Sequence, residues 1–404
     1  MYKCCIVGLG YIGLPTAAIL AKSGHDVIGV EIDKKRVELI NKGTIYFNEP
    51  NLDKLVSEVV KKNKLIASDK ISSADIFIIA VPTPFTKNES GLPKPDLSFI
   101  ENAASTLSEV LVEGNTVIIE STIPVGTTRK IADLILAKSN LKENQIKFAH
   151  CPERVLPGKI LDEIIYNNRI VGGLTVEDSS FVKAFYETFC KGEITITDAN
   201  TAEMVKLSEN AFRDVNIAYA NELSMFCDKF GINVSELVML ANKHPRVNIL
   251  SPSCGVGGHC IAVDPWFLVN SYKENTNLIR TAREVNLKKT EWVIDKIIRK
   301  INLMQLQYEK KISIGCFGMT FKPDIDDCRE SPALKIINNL VSSGYQISIC
   351  EPNIEKFENL NILESHEVIK NSELLIFLVA HSDFKNINTF GKETMNLCGL
   401  ELNS

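Results

Sequence analysis

Cys4-Cys5-Ile6-Val7-Gly8-Leu9-Gly10-Tyr11-Ile12-Gly13 decides the fold. Residues 4–9 form a short apolar run that ends among glycines, and residues 12–23 carry the period of a helix. Strand, glycine turn and helix in that order predict a dinucleotide-binding βαβ unit. Gly8 allows the tight turn, Gly10 lets the backbone approach a pyrophosphate, and Gly13 lets the helix lie close on the strand. Tyr11 and Ile12 share this turn and count with the glycines as cofactor contacts, because a helix start offers unpaired N–H groups to phosphates. A second strand over 27–31 ends in Glu31, where a carboxylate binds an adenosine ribose and repels a 2′-phosphate. NAD is therefore expected rather than NADP, with Asp33 as the second candidate for the ribose.

Outward from this unit, apolar runs over 76–81, 116–119 and 146–150 read as further strands, and 97–110 and 127–138 as helices. Such alternation predicts a parallel sheet. The loops Val81-Pro82-Thr83-Pro84 and Glu120-Ser121-Thr122 end two of these strands, where open α/β sheets bind ligands. Thr83 and Thr122 are candidates to bond the cofactor, with ordinary turn chemistry as the alternative. Near Asp198 the pattern changes. Residues 201–230 are helical in period and contain neither proline nor glycine, and a second long helix is expected over 277–302. Helices of this length predict an all-helical middle domain that packs against a second copy, or else only within its own chain. Strand–helix alternation returns with strands over 312–317, 346–350 and 374–379 and a helix over 332–341, a Rossmann-like unit without G-x-G-x-x-G. The expected architecture is α/β: a Rossmann-type domain over 1–198, a helical domain over 199–305 and an α/β domain over 306–404.

The 404 residues are 45% hydrophobic and 24% charged with a net charge of −5, which leaves no basic stripe for nucleic acid. The longest apolar runs are too short to span a bilayer, and the first one stops at Gly8-Leu9-Gly10, unlike a signal peptide. Eleven cysteines scattered through strands and helices fit a reducing cytoplasm. With no Cys-x-x-Cys pair and no histidine cluster, no metal site is expected.

The stretch Gly255-Val256-Gly257-Gly258-His259-Cys260-Ile261-Ala262-Val263-Asp264 carries the chemistry. A thiol behind a glycine-rich turn can bond a carbonyl carbon. Together with a redox cofactor it predicts an oxidation through a thioester, ending in an acid. Glu203, Lys206, Asn210 and Arg213 fall on one helix face at spacings of three, four and three. In His150-Cys151-Pro152-Glu153-Arg154, Glu153 is expected at the mouth of the cleft as general base toward water. Cys151 competes with Cys260 as nucleophile, and His259 is a weaker candidate for its activating base.

Together these motifs resemble the UDP-glucose/GDP-mannose dehydrogenase family over essentially the whole chain. The likeness rests on Gly8 to Gly13, Glu120-Ser121-Thr122, Pro152-Glu153, Lys206 with Asn210, Gly257 to Cys260 with Asp264, and Phe321-Lys322-Pro323 with Arg329-Glu330-Ser331-Pro332. It implies NAD-dependent oxidation of a UDP-sugar at C6, with Cys260, Lys206, Asn210, Asp264 and Glu153 as catalytic residues. The first proton goes either to Lys206 or to water held by Asp264. Arg154, Val155, Lys206, Asn210, Arg213, Arg246, Asn248, Gly257, His259 and Lys322 are then implied to bind substrate. Arg329 is placed for a second phosphate contact and counts with the cofactor. Arg246 is implied to reach a partner's site in a homodimer. Relatives acting on UDP-glucose carry proline and lysine where this chain has Ala262 and Val263. That departure argues against UDP-glucose, and the likeness within the family over Glu209 to Asn216, Ala241 to Asn248 and Cys260 to Phe267 implies UDP-N-acetyl-D-mannosamine, with UDP-N-acetylglucosamine and UDP-glucose as alternatives. A single-hydride β-hydroxyacid-type dehydrogenase and a non-catalytic nucleotide-sugar sensor are the competing functions.

Overall fold

The computed structural model describes residues 1–87, 93–258, 260–358 and 360–400. The chain divides into two compact units, Met1–Ser208 and Glu209–Ser404.

The first unit opens with β1 (Lys3–Val7), α1 (Gly13–Lys22), β2 (Asp26–Val30), α2 (Lys34–Asn41), α3 (Leu52–Lys61), β3 (Leu65–Ser68) and β4 (Ile76–Ile79). A small antiparallel pair, β5 (Phe85–Lys87) and β6 (Pro93–Pro95), follows. Then come α4 (Ser98–Leu107), β7 (Thr116–Ile119), α5 (Thr127–Lys138), β8 (Lys147–His150), α6 (Ile160–Tyr166), β9 (Arg169–Gly173), α7 (Val176–Tyr186) and β10 (Ile194–Asp198). Eight strands form one sheet in the order β10-β9-β8-β7-β4-β1-β2-β3. All pairs are parallel except β8 with β9. The strands are apolar on both faces because both faces are covered. Cys4 and Ile6 face the core under α1, α3 and α7, and the alternate residues Cys5 and Val7 face the core under α4 and α5. β1 has β2 on one side and β4 on the other, so the strand order reverses at β1 and opens a crevice at the carboxyl ends.

The second unit begins within α8 (Ala199–Phe230) and continues with α9 (Val234–Ala241), α10 (Asp264–Ser271) and α11 (Asn277–Tyr308). Next are β11 (Ile314–Phe317), α12 (Pro332–Ser342), β12 (Ile347–Cys350), α13 (Ser365–Asn371), β13 (Leu374–Phe377) and β14 (Glu393–Asn396). Four parallel strands in the order β12-β11-β13-β14 pack on Val293, Ile297 and Ile301 of α11 and on Ile336, Ile337 and Leu340 of α12. Val368 and Ile369 of α13 cover the other face with Phe384. Each of the two long helices has 32 residues, about 48 Å at the usual rise. A buried polar seam joins them: Arg283 donates to Asp214 at 2.6 Å and Asn286 to the same carboxylate at 2.8 Å. Asn221 donates to Asn286 at 2.9 Å, and Lys289 to Ser224 at 2.7 Å. No helix among the described residues is long and apolar enough to cross a membrane.

Candidate active site

The glycine turn after β1 is built by steric necessity. Gly8 has φ +95°, and a Cβ there would lie 2.7 Å from the Ala80 carbonyl oxygen. A Cβ at Gly13 would fall 1.8 Å from the Gly8 oxygen, so only glycine lets α1 start here. At Gly10 a Cβ would meet nothing within 4 Å, so the turn is open on the side where a pyrophosphate would approach. Tyr11 packs on Phe47 with ring centroids 4.4 Å apart, and the Tyr46 hydroxyl donates to the Leu9 carbonyl at 2.7 Å. Ile12 is the residue before α1.

Glu31 at the end of β2 is buried, and its Oε1 accepts the Asp33 N–H at 3.1 Å. Asp33 caps α2, accepting the N–H groups of Lys35 and Arg36 at 2.9 and 3.4 Å. Its carboxylate therefore has a structural task. The Thr83 hydroxyl donates to the Thr122 carbonyl at 2.8 Å and that of Ser121 to the Val81 carbonyl at 2.7 Å. These bonds tie together the loops after β4 and β7 at the crevice, and Thr122, in the second of them, is half-buried.

Glu153, expected to be open to the cleft, has a buried side chain instead, with Oε1 accepting the Arg154 N–H at 2.8 Å and Oε2 paired with Arg169 at 2.8 Å. Arg169 is also buried, with its guanidinium 4.8 Å from the Tyr186 ring centroid, and Tyr186 donates to Glu120 at 2.6 Å. Burial, then the neighbouring Glu153 charge, raise the Glu120 carboxyl to about 7. Burial pushes the Cys151 thiol up to about 12, which removes it as a nucleophile near neutral pH. Burial pushes His150 down to about 3, and the positive charge of Lys206 adds to the effect. Glu203, on the same helix face, is committed elsewhere. It accepts the N–H groups of Gly126 and Thr128 at 2.6 and 2.7 Å and so caps α5. Arg154 donates to the Asn168 carbonyl, and Val155 packs on the core under α1.

In the second unit Asn210 donates to Asp264 at 2.5 Å, both side chains being buried. Asp264 opens α10, and its N–H donates to the Cys260 carbonyl at 2.8 Å. Cys260 is exposed, alone among the eleven cysteines. The glycines before it have a packing reason that the sequence did not show. A Cβ at Gly257 would lie 2.5 Å from the Glu330 oxygen and one at Gly258 2.9 Å from the Phe321 ring. The Gly258 N–H also donates to the Arg329 carbonyl at 3.0 Å. The thiol loop is thus laid directly on the loop that carries Lys322. Lys322 is half-buried, and the Arg329 guanidinium holds Asp327 at 2.6 Å. Arg213, Arg246 and Asn248 are exposed. His259 lies outside the described residues.

Models of the UDP-glucose/GDP-mannose dehydrogenase family match the chain in three parts: the NAD binding domain over residues 2–190, the central domain over 200–288 and the UDP binding domain over 315–396. The chain is 47% identical over 406 residues to a UDP-N-acetyl-D-mannosamine dehydrogenase of Campylobacter jejuni, covering 96% of this chain and 97% of that one. It is 46% identical over 397 residues to an NDP-N-acetyl-D-galactosaminuronic acid dehydrogenase of Ralstonia nicotianae, covering 95% and 92%. A solved UDP-N-acetyl-mannosamine dehydrogenase from Staphylococcus aureus superposes with a TM-score of 0.89 at 40% identity, covering 99% and 96%.

Proposed function

The chain belongs to the UDP-glucose/GDP-mannose dehydrogenase family and is an NAD-dependent UDP-sugar dehydrogenase, and from that premise we propose that it oxidises the C6 alcohol of UDP-N-acetyl-D-mannosamine to the carboxylate through a thioester on Cys260. The observation that carries this reading is the exposed Cys260 joined to the Asn210–Asp264 pair, while the rival thiol of Cys151 is buried and protonated. Family membership displaces the single-hydride and sensor readings. We read residues 1–198 as the cofactor domain, 199–305 as the helical domain and 306–404 as the domain for the UDP end.

The glycine cradle with its open Gly10 and the acid Glu31 fit NAD, whose chemistry is to accept the two hydrides lost per acid formed. Lys206, or water held by Asp264, takes the proton of the C6 hydroxyl. The Cys260 sulfur adds to the aldehyde carbon, and the resulting thiohemiacetal, oxidised once more, is a thioester on the same sulfur. Glu153 takes a proton from the water that attacks this thioester, the carbon–sulfur bond breaks, and the thiol is returned. Alcohol plus water thus gives acid, with four electrons leaving as two hydrides. Lys206 and Asn210 stabilise the oxygen as negative charge develops. Lys322 and Arg329 serve the phosphates, and Arg154, Val155, Arg213, Asn248, Gly257 and His259 the remaining substrate contacts. A homodimer, which we place in the cytoplasm as part of the proposal, is supported as an assembly by exposed Phe212, Tyr219, Phe226 and Phe230, which recur at seven- and four-residue spacing along α8. In that dimer Arg246 reaches the partner's site.

The relative from Ralstonia favours a second reading, the same chemistry on an N-acetylated sugar of galacto configuration. A rate comparison with UDP-N-acetylmannosamine, UDP-N-acetylgalactosamine, UDP-N-acetylglucosamine and UDP-glucose tests both. The first reading expects the manno sugar to give the highest kcat/KM, and a higher value for any other sugar overturns it.

A further inference from the structure

The loop that carries Lys322 is held by a buried histidine to which the mechanism gives no part. His381, after β13, is fully buried. Its Nδ1 accepts the Asp324 N–H at 2.9 Å and lies 3.0 Å from Asn353 Nδ2. A ring nitrogen that accepts a backbone N–H carries no proton, so the hydrogen sits on Nε2. Nε2 faces Glu351 Oε2 at 3.1 Å and Thr320 Oγ1 at 3.2 Å. Glu351 in turn accepts the Met319 N–H at 2.7 Å, and the Thr320 hydroxyl donates to the Lys322 carbonyl at 2.9 Å. On the other side of Lys322, Asp324 stands at φ +58°, a left-handed conformation that costs energy for a residue with a Cβ. Such conformations persist where the surroundings over-determine them. Here Ser382 supplies the second hold, its N–H and hydroxyl reaching Asp324 Oδ1 at 2.8 and 2.9 Å.

We propose that His381 is a positioning residue for the nucleoside diphosphate end of the substrate: by accepting the Asp324 N–H it fixes the strained turn that presents Lys322 to a phosphate. The proposal rests on the reading of Lys322 given above. The two ring nitrogens have different tasks, and that makes the proposal testable. Asparagine places its side-chain oxygen near the position of Nδ1 and can keep the Asp324 bond. Glutamine places its amide nitrogen near the position of Nε2 and keeps only the Glu351 bond.

The experiment is calorimetric titration of the full-length protein with UDP, with NADH titrated as a control on the fold. His381→Gln is expected to weaken UDP by about tenfold, the order that follows when a buried N–H loses its acceptor. His381→Asn is expected to stay within about twofold of the parent, and NADH affinity to be unchanged in both. Parental UDP affinity in His381→Gln overturns the proposal. So does an equal loss in both variants with NADH binding intact, since a merely structural histidine would not distinguish its two nitrogens. Should both variants lose NADH binding, Ser382→Ala decides. It removes an exposed hydroxyl arm of the same clamp and is expected to weaken UDP by about threefold; unchanged affinity overturns the proposal. If Lys322→Ala leaves UDP affinity unchanged, the nucleotide reading itself fails and removes the premise.

Discussion

Cys260→Ser isolates the chemistry that we propose one atom carries. Acid formation is expected to fall by at least about 10³-fold while NADH binding stays parental, measured by product analysis and by fluorescence titration. On the proposed mechanism Asn210→Ala is expected to lower kcat by about 10²–10³, because it would remove a donor to developing negative charge along with the 2.5 Å hydrogen bond to Asp264. Glu120 predicts a pH dependence of stability. Its carboxyl titrates near 7 in the folded chain and near 4.5 when unfolded, so the folded state binds the extra proton between those values. The stabilisation is complete below the unfolded value and is lost as pH rises through the folded one. Urea denaturation should show parental stability falling from about pH 4.5 to 7 more steeply than that of Glu120→Gln; equal slopes contradict the assignment. At this scale the sequence was informative about residue types and less so about tasks. Helical spacing grouped Glu203 with Lys206 and Asn210, yet Glu203 caps α5, because a side chain's partner across the fold is not encoded in its own helix face. Glu153 was expected at the cleft mouth. Its burial follows from Arg169 on β9, a partner that only strand register reveals.

Among elements, five of the eight strands of the first sheet and both long helices could be read from their periods. The strand expected over 76–81 is β4 (Ile76–Ile79), and the helix expected over 201–230 is α8 (Ala199–Phe230). Gly172 and Gly173 hid β9, since glycines in a short run read as a turn. In the fold a Cβ on Gly172 would lie 2.4 Å from the Asp198 oxygen, so the glycines serve a close approach instead. α10 was missed because Pro265 reads as a breaker, although proline is tolerated in the first turn of a helix. The buried pair that β9 brings to the loop after β8 also carries a prediction. Arg169→Met should cost about 3–5 kcal/mol of stability by leaving Glu153 buried and unpaired beside Glu120. Adding Glu153→Gln should recover part of that loss in urea denaturation. No recovery would mean that the arginine acts through packing on Tyr186 rather than through charge.

For the whole molecule, the order of α/β, helical and α/β segments was legible because each has its own period and because Gly8 to Gly13 opens the first of them. The apolar stripe on α8 was less legible, since exposure and not sequence separates Phe212, Tyr219 and Phe226 from core residues. The dimer reading predicts a particle of twice the 44.9 kDa chain mass by light scattering. Tyr219→Glu with Phe226→Glu should shift it toward the monomer, and unchanged mass would move the interface elsewhere. The central claim is that one chain removes four electrons from one sugar through a thioester. Its most direct measurement is the NADH formed per molecule of limiting UDP-N-acetylmannosamine with NAD⁺ in excess. Four-electron oxidation yields two NADH per sugar together with the acid. A yield of one, with aldehyde as product, would contradict the thioester on Cys260.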